Sequence, residues 1–304
     1  MNEVTNIKIG GVITPDLLDI AYISLNSIKC NKKSTTKIDY YLFIKYTYSL
    51  NEYYCKRYLD DLISDDFQIH YIDANPYIKE TNPQNGFSDV LFIRCLFPKI
   101  FNEFDKILHL DIDVFCLKEG IEELWNMTVD EFYVKAAIDP LVSWSPEGCA
   151  DYYNTQTKRY FNAGVMLMNL KKIREDGLDE ILYKWTKNWD YTIIRCILHD
   201  QTLLNYFFRK HVGILSPIWN NMFLSSTVNS KQYFTHNLQI YGFGEPLESL
   251  NETVFIHFII KEAKPWNIIS TNKGLGNFYY AETSIQLWKE LVANYEKRRH
   301  EKQS

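Results

Sequence analysis

Residues 106–115 read KILHLDIDVF, an apolar run that ends in two aspartates, Asp111 and Asp113, with Ile112 between them. The apolar lead-in predicts a buried strand over residues 106–114. In an extended chain, residues i and i+2 point to the same side, about 6–7 Å apart at Cα. Two carboxylates that close repel each other unless a positive charge offsets the repulsion or one of them is protonated. The segment therefore predicts a divalent cation carrying a phosphorylated ligand, with two solvated acids in a turn as the alternative.

Strands and helices alternate on both sides of this segment. Apolar β-branched runs and helical periodicity predict, in chain order, strands at 7–13, 38–44 and 67–72 with helices at 17–28, 51–63 and 88–101. Downstream they predict strands at 132–138, 164–170 and 254–260 and helices at 178–189 and 201–208. This alternation predicts an α/β fold, a mixed but mostly parallel sheet flanked by helices, with ligands at the carboxyl ends of its strands.

Length and composition narrow the class of protein. The 304 residues suit one large α/β domain with a tail, and 46% hydrophobic residues indicate a globular chain. Thirty-three basic and 38 acidic residues give a net charge of −5, which offers no electrostatic case for binding nucleic acid. The longest apolar run, 254–260, is far shorter than the roughly 20 residues of a membrane span. With no leader pattern at the N-terminus, we expect a cytoplasmic protein.

Four further motifs follow the aspartate pair. In chain order they are FNAGV at 161–165 with Leu167, Asn169 and Leu170 after it; DQTLLN at 200–205; Pro217 with Trp219 and Asn220; and His257 followed by Lys264, Pro265 and Trp266. Together with the D-x-D pair, this ordered set resembles glycosyltransferase family 8, retaining enzymes of the GT-A fold. The resemblance covers residues 88 to 266, counting Arg94 in the helix before the aspartate pair.

The resemblance implies a nucleotide-sugar donor, usually UDP-linked, and a Mn²⁺ ion, with Mg²⁺ as a second possibility. It implies that Asp111, Asp113 and His257 hold the metal, and two carboxylates with an imidazole suit Mn²⁺. The donor-binding residues that it implies are Arg94, Asp111, Ile112, Asp113, Asn162, Ala163 and Lys264, and we count Thr14 with them as the residue at the position expected near the base. The alternatives are a hydrogen-bonded core histidine for His257, a solvated lysine for Lys264 and a helix-surface arginine for Arg94.

The resemblance also places the reaction centre. Asp200 and Gln201 match the catalytic positions, and Asp139 matches an acid that faces the sugars on the acceptor side. A retaining transfer uses either an enzyme nucleophile or front-side attack by the acceptor. Because an amide is a poor nucleophile, we favour front-side attack, with Gln201 stabilising the cationic sugar and Asp200 orienting the donor. Asp200 could instead serve only as the N-cap of the helix that starts at Gln201, and Asp139 as a loop carboxylate.

The chain departs from the family pattern at two places. The acidic residue expected just after the first strand, near the base and ribose, is absent, so Thr14 or Asp16 takes its place or base selectivity differs. The loop between His257 and Lys264 is one residue longer than usual and lacks the glycine that lets backbone approach the phosphate. Lys261 could contribute charge there, or the loop could be rearranged.

The C-terminal segment carries an apolar stripe at helical spacing, which includes Trp288, and a basic end. We therefore predict a GT-A domain over residues 1–266 and a helical segment over 267–304. That helix could lie on an anionic membrane surface or pack on the domain. If the helix packs on the domain, its charged end stays in solvent.

The function that we predict is a metal-dependent retaining hexosyltransferase. It would move galactose or glucose from a UDP-sugar to a glycan or glycolipid acceptor, such as a lipooligosaccharide or a cell-surface polymer of a bacterium. The alternatives are a self-glucosylating primer resembling glycogenin, a catalytically silent carbohydrate- or nucleotide-binding module, and a nucleotidyl- or phosphotransferase that uses the same carboxylates.

Overall fold

A computed structural model describes residues 5–48, 51–79, 81, 88–144, 159–190, 192–194, 198–271 and 278–301. Nine strands lie within these residues: β1 Thr5–Ile13, β2 Thr36–Ile44, β3 Phe67–Asp73, β4 Lys106–Leu110, β5 Val114–Cys116, β6 Val134–Ile138, β7 Phe161–Asn169, β8 Val212–Leu215 and β9 Phe255–His257. Seven of them form one sheet in the order β3-β2-β1-β4-β7-β6-β8, and β5 and β9 form a second.

The helices of the first half are α1 Leu18–Asn31, α2 Glu52–Leu59, α3 Asn75–Ile78, α4 Ile93–Ile100, α5 Ile121–Trp125 and α6 Pro140–Trp144. Those of the second half are α7 Leu170–Glu175, α8 Leu178–Lys187, α9 His199–Phe208, α10 Lys231–Ile240, α11 Pro246–Glu252, α12 Pro265–Thr271 and α13 Ala281–Glu301. In the described part of the chain, every helix is too short or too polar to cross a lipid bilayer.

The large sheet is parallel except at β7. Strands β1 to β4 run parallel to one another, β6 is parallel to β8, and β7 is antiparallel to both β4 and β6. All nine residues of β7 are buried, as expected for a central strand covered on both faces. The predicted fold, a mostly parallel sheet flanked by helices, is confirmed.

Two apolar layers cover the sheet. Helices α1, α2 and α5 pack on one face, and α4, α7, α8 and α9 pack on the other. The alternating side chains of the strands supply both layers; within β4, for example, Leu108 faces the first layer and Ile107 the second. Because β1 and β4 are parallel, their carboxyl ends lie at the same edge of the sheet. The aspartate pair follows β4 at this edge.

The C-terminal helix α13 packs its apolar stripe on the domain. Trp288 is buried, and its ring lies 4.9 Å from that of Trp266 and 5.7 Å from that of Phe115 in β5. Tyr295, in the second half of α13, meets Tyr22 of α1 edge to face at 4.6 Å. Of the two arrangements considered for this helix, the structure therefore has the packed one. The domain boundary at residue 266 stays a prediction.

Candidate active site

The aspartate pair lies in a tight turn, which corrects the expectation of one strand through residue 114. Strand β4 ends at Leu110, and the Val114 amide donates to the Asp111 carbonyl at 3.1 Å, which closes a β-turn. The Asp111 amide donates to the Gly164 carbonyl at 2.8 Å and so anchors the turn to β7. The turn still brings both carboxylates to one side of the chain, because each offers an oxygen to the same cluster.

His257 completes that cluster from the second sheet. Strand β9 is antiparallel to β5 and pairs His257 with Val114, which sets the imidazole beside the turn. Its Nε2 lies 3.2 Å from Asp113 Oδ1 and 3.9 Å from Asp111 Oδ2. The three ligand atoms lie within 4.8 Å of one another. The strand is only three residues long, shorter than the predicted 254–260, and it ends at the histidine itself.

Basic side chains around the turn offset the repulsion between the two carboxylates. Burial alone would raise the pKa of Asp113, but Lys264 and His257 overcome it and lower that pKa to about 2. Burial opposes ionisation of Asp111 too, and Arg94 with the nearby imidazoles holds its pKa well below the ordinary range. Both acids are therefore ionised at neutral pH. The Lys264 ammonium bonds directly to Asp113, although the loop before it is longer than in the family pattern.

Arg94 is a buried bridge and not a helix-surface arginine. It is 4% exposed, and its guanidinium donates to Asp111 at 2.6 and 3.3 Å and to the Ala163 carbonyl at 3.2 Å. Its Nε lies 3.1 Å from Asp200. Burial disfavours the charged guanidinium, but Asp111 and Asp200 together raise the Arg94 pKa. The single positive charge of Arg94 thus pairs with two carboxylates, and it joins the turn that carries Asp111 and Asp113 to the predicted reaction centre.

The FNAGV motif forms an irregular start to β7. The pairing between β6 and β7 shifts register between Ala136 and Ile138, opposite residues 161–166. Bulges of this kind re-aim side chains and free backbone groups beside active sites. Here the bulge lets the Asn162 side chain accept from the Gly164 amide at 2.9 Å, while the Ala163 amide donates to Gln201 Oε1 at 2.9 Å.

Gln201 and Asp139 form one hydrogen-bonded unit. Gln201 Nε2 donates to Asp139 Oδ2 at 3.1 Å, and Asn162 Nδ2 donates to the same oxygen at 3.4 Å. The other oxygen of Asp139 accepts from the Leu141 and Val142 amides at 3.0 and 3.2 Å, so it caps α6. Asp139 is therefore no solvated loop carboxylate.

Helix α9 begins two residues earlier than predicted, so Asp200 lies in its first turn and is not the N-cap.

The remaining residues predicted to bind the nucleotide-sugar donor lie near the carboxyl ends of β1 and β4. Thr14 directly follows β1 and is half-buried, and Asp16 after it is exposed. The Ile112 side chain points into the core. Trp266, beyond Lys264, packs against Phe115 and Phe258 and thereby fixes the loop that carries the lysine.

Two site residues were missed by the sequence reasoning. His109 is buried, with its ring nitrogens 2.9 Å from the Gly10 carbonyl and 3.3 Å from Asp111 Oδ1, and burial lowers its pKa. His109 lies in β4 two residues before Asp111, so the i, i+2 spacing of the predicted strand could have indicated the contact. Asn220 was only part of a motif, yet its Oδ1 lies 3.0 Å from His257 Nδ1. No local pattern predicts that contact.

The arrangement fits a divalent cation. Two carboxylate oxygens and an imidazole nitrogen converge from separate elements, and such a donor set suits Mn²⁺ or, less well, Mg²⁺. A lysine ammonium already neutralises one of these carboxylates, which shows that the pocket attracts positive charge. Asp111, Asp113 and His257 are the residues that would hold the ion.

This combination of a mixed α/β sheet and an acidic turn after a central parallel strand defines a GT-A fold, and comparison with solved structures agrees. A crystal structure of the galactosyltransferase LgtC, in complex with donor and acceptor sugar analogs, superposes with a TM-score of 0.66 at 19% identity. The match covers 92% of this chain and 95% of that one.

The sequence comparisons give the family. The sequence model for glycosyl transferase family 8 matches residues 18–270, and the chain belongs to that family. It is 26% identical over 296 residues to the lipopolysaccharide 1,2-glucosyltransferase of Escherichia coli, a match that covers 92% of this chain and 79% of the relative. It is 22% identical over 208 residues to a Haemophilus influenzae protein named as a glycosyltransferase, covering 66% of this chain and 59% of the relative. The resemblance inferred from the motifs is thereby confirmed.

Proposed function

We propose that this glycosyltransferase is a retaining, Mn²⁺-dependent hexosyltransferase that moves galactose or glucose from a UDP-sugar to a glycan acceptor. A lipooligosaccharide or a cell-surface polymer is the acceptor class that we favour, in line with the name of the Escherichia coli relative. The observation that carries the proposal is the cluster of Asp111, Asp113 and His257, flanked by Lys264 and Arg94. A diphosphate and a divalent cation match that pattern of charge.

Lys264 and the acidic turn would bind the diphosphate end of the donor. When bound, the metal ion supplies positive charge that stabilises the departing diphosphate. We propose that Lys264 changes partner when the donor binds, since its flexible stem lets the ammonium move from Asp113 to a phosphate oxygen. Arg94, which is fixed by three partners, instead holds Asp111 in place for the ion.

The residues at the start of β7 and α9 support front-side attack. Asp200 is ion-paired with Arg94 and almost fully buried, which disfavours it as a free nucleophile. In the step that we propose, the acceptor oxygen bonds to the anomeric carbon while the bond to the diphosphate breaks on the same face. The acceptor proton passes to the leaving diphosphate oxygen. Ala163 and Asp139 hold the Gln201 amide in a fixed orientation. The Ala163 amide takes one lone pair of Gln201 Oε1, and in the step that we propose the other would stabilise the cationic sugar.

The acceptor would meet the donor beside Asp139. That carboxylate belongs to the unit that orients Gln201 and Asn162, so its role on the acceptor side includes positioning. Because α13 buries its apolar stripe against the domain, this proposal gives the stripe no role in membrane binding.

The experiment that tests the proposal is release of UDP from a panel of UDP- and GDP-sugars, with Mn²⁺ and then with EDTA. We expect slow, metal-dependent hydrolysis of one UDP-hexose and, once an acceptor is found, a product that keeps the anomeric configuration of the donor. Asp113→Asn should abolish the reaction. Asp105→Asn, an exposed aspartate at the other end of β4, is the matched control.

Other outcomes would point to the alternatives. A hexose-sized gain in intact mass without acceptor would indicate a self-glucosylating primer. Release of pyrophosphate or phosphate would indicate a nucleotidyl- or phosphotransferase. Turnover that is equal with Mn²⁺ and with EDTA would contradict the metal-dependent mechanism.

A further inference from the structure

Asn220 lies behind the predicted metal ligand His257 and is fully buried. It follows the short helical turn Pro217–Trp219, and its side chain lies between two residues of the site. On one side, Nδ2 donates to Asn162 Oδ1 at 2.9 Å. On the other side, Oδ1 lies 3.0 Å from His257 Nδ1. Asn220 thus joins the start of β7 to the end of β9.

The direction of each hydrogen bond in this chain is fixed by one backbone group. The Gly164 N–H can only donate, so the atom of Asn162 that faces it at 2.9 Å must be the oxygen. The Asp139 carboxylate on the other side of that amide can only accept, which agrees with this orientation. Since Asn220 also meets the Asn162 oxygen, it must donate there through Nδ2.

It follows that Asn220 presents its oxygen to His257. An amide oxygen only accepts, so the imidazole must carry its hydrogen on Nδ1 and donate it to Asn220. In the neutral ring the lone pair is then on Nε2, the atom that faces Asp111 and Asp113. In this state His257 Nε2 and one oxygen each of Asp111 and Asp113 turn lone pairs toward the same point, and a bound cation would relieve their repulsion.

The backbone holds the ring in this position. The Asn221 amide donates to the Phe255 carbonyl at 2.8 Å, and the His257 amide donates to the Asn221 carbonyl at 2.9 Å. The imidazole also packs against Gly164, where a Cβ would overlap the ring at Cε1. The ring therefore has little freedom to turn away from Asn220.

We infer that Asn220 is the positioning residue of the metal site: it fixes the His257 tautomer that leaves Nε2 free to bind a divalent cation. The inference rests on the proposed function for the identity of that cation. Hydrogen bonds to the second nitrogen of a ligating histidine fix its tautomer and orientation, and their loss costs about 10–100-fold in metal affinity.

The test reads the tautomer directly, in metal-free protein. Long-range ¹H–¹⁵N NMR of histidine-labelled protein at alkaline pH shows which ring nitrogen carries the hydrogen, and His257→Gln identifies the signals. Mn²⁺ affinity without nucleotide is then measured from the electron paramagnetic resonance signal of the free ion. The variants are Asn220→Leu, which removes the acceptor, and Asn220→Asp, which keeps it. Asn169→Leu is the control: Asn169 is also buried, but it bonds to Val129 and Lys172 at the far end of β7.

We expect the hydrogen on Nδ1 in the native protein and in Asn220→Asp. In Asn220→Leu the Nε2–H form should appear and Mn²⁺ affinity should fall about 10–100-fold, whereas Asn169→Leu should lower stability alone. A native His257 that carries its hydrogen on Nε2 would overturn the inference. So would an unchanged Mn²⁺ affinity in Asn220→Leu, or an equal loss in Asn220→Asp. The NMR experiment reports the tautomer without Mn²⁺. A native protein that has the expected tautomer but does not bind Mn²⁺ would therefore contradict the proposed function and not the tautomer.

Discussion

The imidazole of His257 lies against the Cα of Gly164, and a side chain on that glycine would overlap the ring. This contact joins two motifs that are 93 residues apart in the chain. It explains in physical terms why a glycine stands at this position of strand β7. The same glycine accepts from the Asp111 amide and donates to Asn162, so three elements of the site meet at its backbone.

Gly164→Ala should therefore displace the imidazole. We expect Mn²⁺-dependent donor binding to weaken at least about tenfold and stability to fall by about 1–3 kcal/mol, the usual cost of overpacking. Calorimetric titration and urea unfolding would measure the two effects. Gly244→Ala is the control, since its new methyl group would meet only the end of the flexible Glu248 side chain. Normal donor binding by Gly164→Ala would contradict the packing argument.

Arg94→Met should destabilise the fold as well as the site. The substitution leaves Asp111 and Asp200 without their shared cation, and breaking a buried pair of this kind costs about 3–5 kcal/mol. Arg94→Lys should recover only part of the loss, because an ammonium cannot reproduce the guanidinium fork. Urea unfolding is the measurement, with the exposed Arg57→Met as control. A loss no larger than that of the control would contradict the bridging role.

Lys264→Gln should separate metal binding from nucleotide binding. In the unliganded protein the ammonium neutralises Asp113, so its removal should leave Mn²⁺ affinity unchanged or higher. The affinity for UDP with Mn²⁺ should fall about tenfold, because a charge-assisted contact to phosphate is lost. Calorimetry with Mn²⁺ alone and with UDP tests both parts. Lys261→Gln is the control on the same loop; an equal loss of UDP affinity there would mean that Lys261 is the phosphate ligand.

Trp288→Ala tests the packed position of α13. Truncation of this buried ring should cost about 3–5 kcal/mol, since it contacts both Phe115 and Trp266. Leu247→Ala, at an exposed apolar residue, should cost little. Sedimentation with anionic vesicles should be the same for the native protein and Trp288→Ala. Vesicle binding that depends on Trp288 would favour the membrane-surface alternative for this helix.

The sequence predicted most of the fold because the deciding signals are local. Apolar runs and helical periodicity gave the strands and helices of the first half, and the motifs gave the family. Local patterns failed where a long-range contact decides the structure. The turn at Asp111 and Asp113 is anchored to Gly164 of β7, and β9 is short because only three residues pair with β5.

The residues of the site, like the elements of the fold, could be predicted where sequence motifs mark them but not where long-range contacts decide their role. The aspartate pair indicated a cation, and the family resemblance added His257 as a metal ligand and Lys264 as a phosphate ligand; the structure brings these four side chains together. The burial of Arg94 between two acids was not predictable, because helical periodicity does not say what a buried arginine meets. The role of Asn220 depends on a chain of amide orientations that only coordinates can give.

Binding of UDP in the presence of Mn²⁺, followed by the same titration with EDTA, tests the central claim most directly. We expect native protein and Asp105→Asn to bind UDP with Mn²⁺ and to lose that binding in EDTA, while Asp113→Asn does not bind in either condition. Equal affinity for UDP with Mn²⁺ and with EDTA, or normal binding by Asp113→Asn, would contradict the claim that the acidic turn and His257 form a metal-dependent donor site.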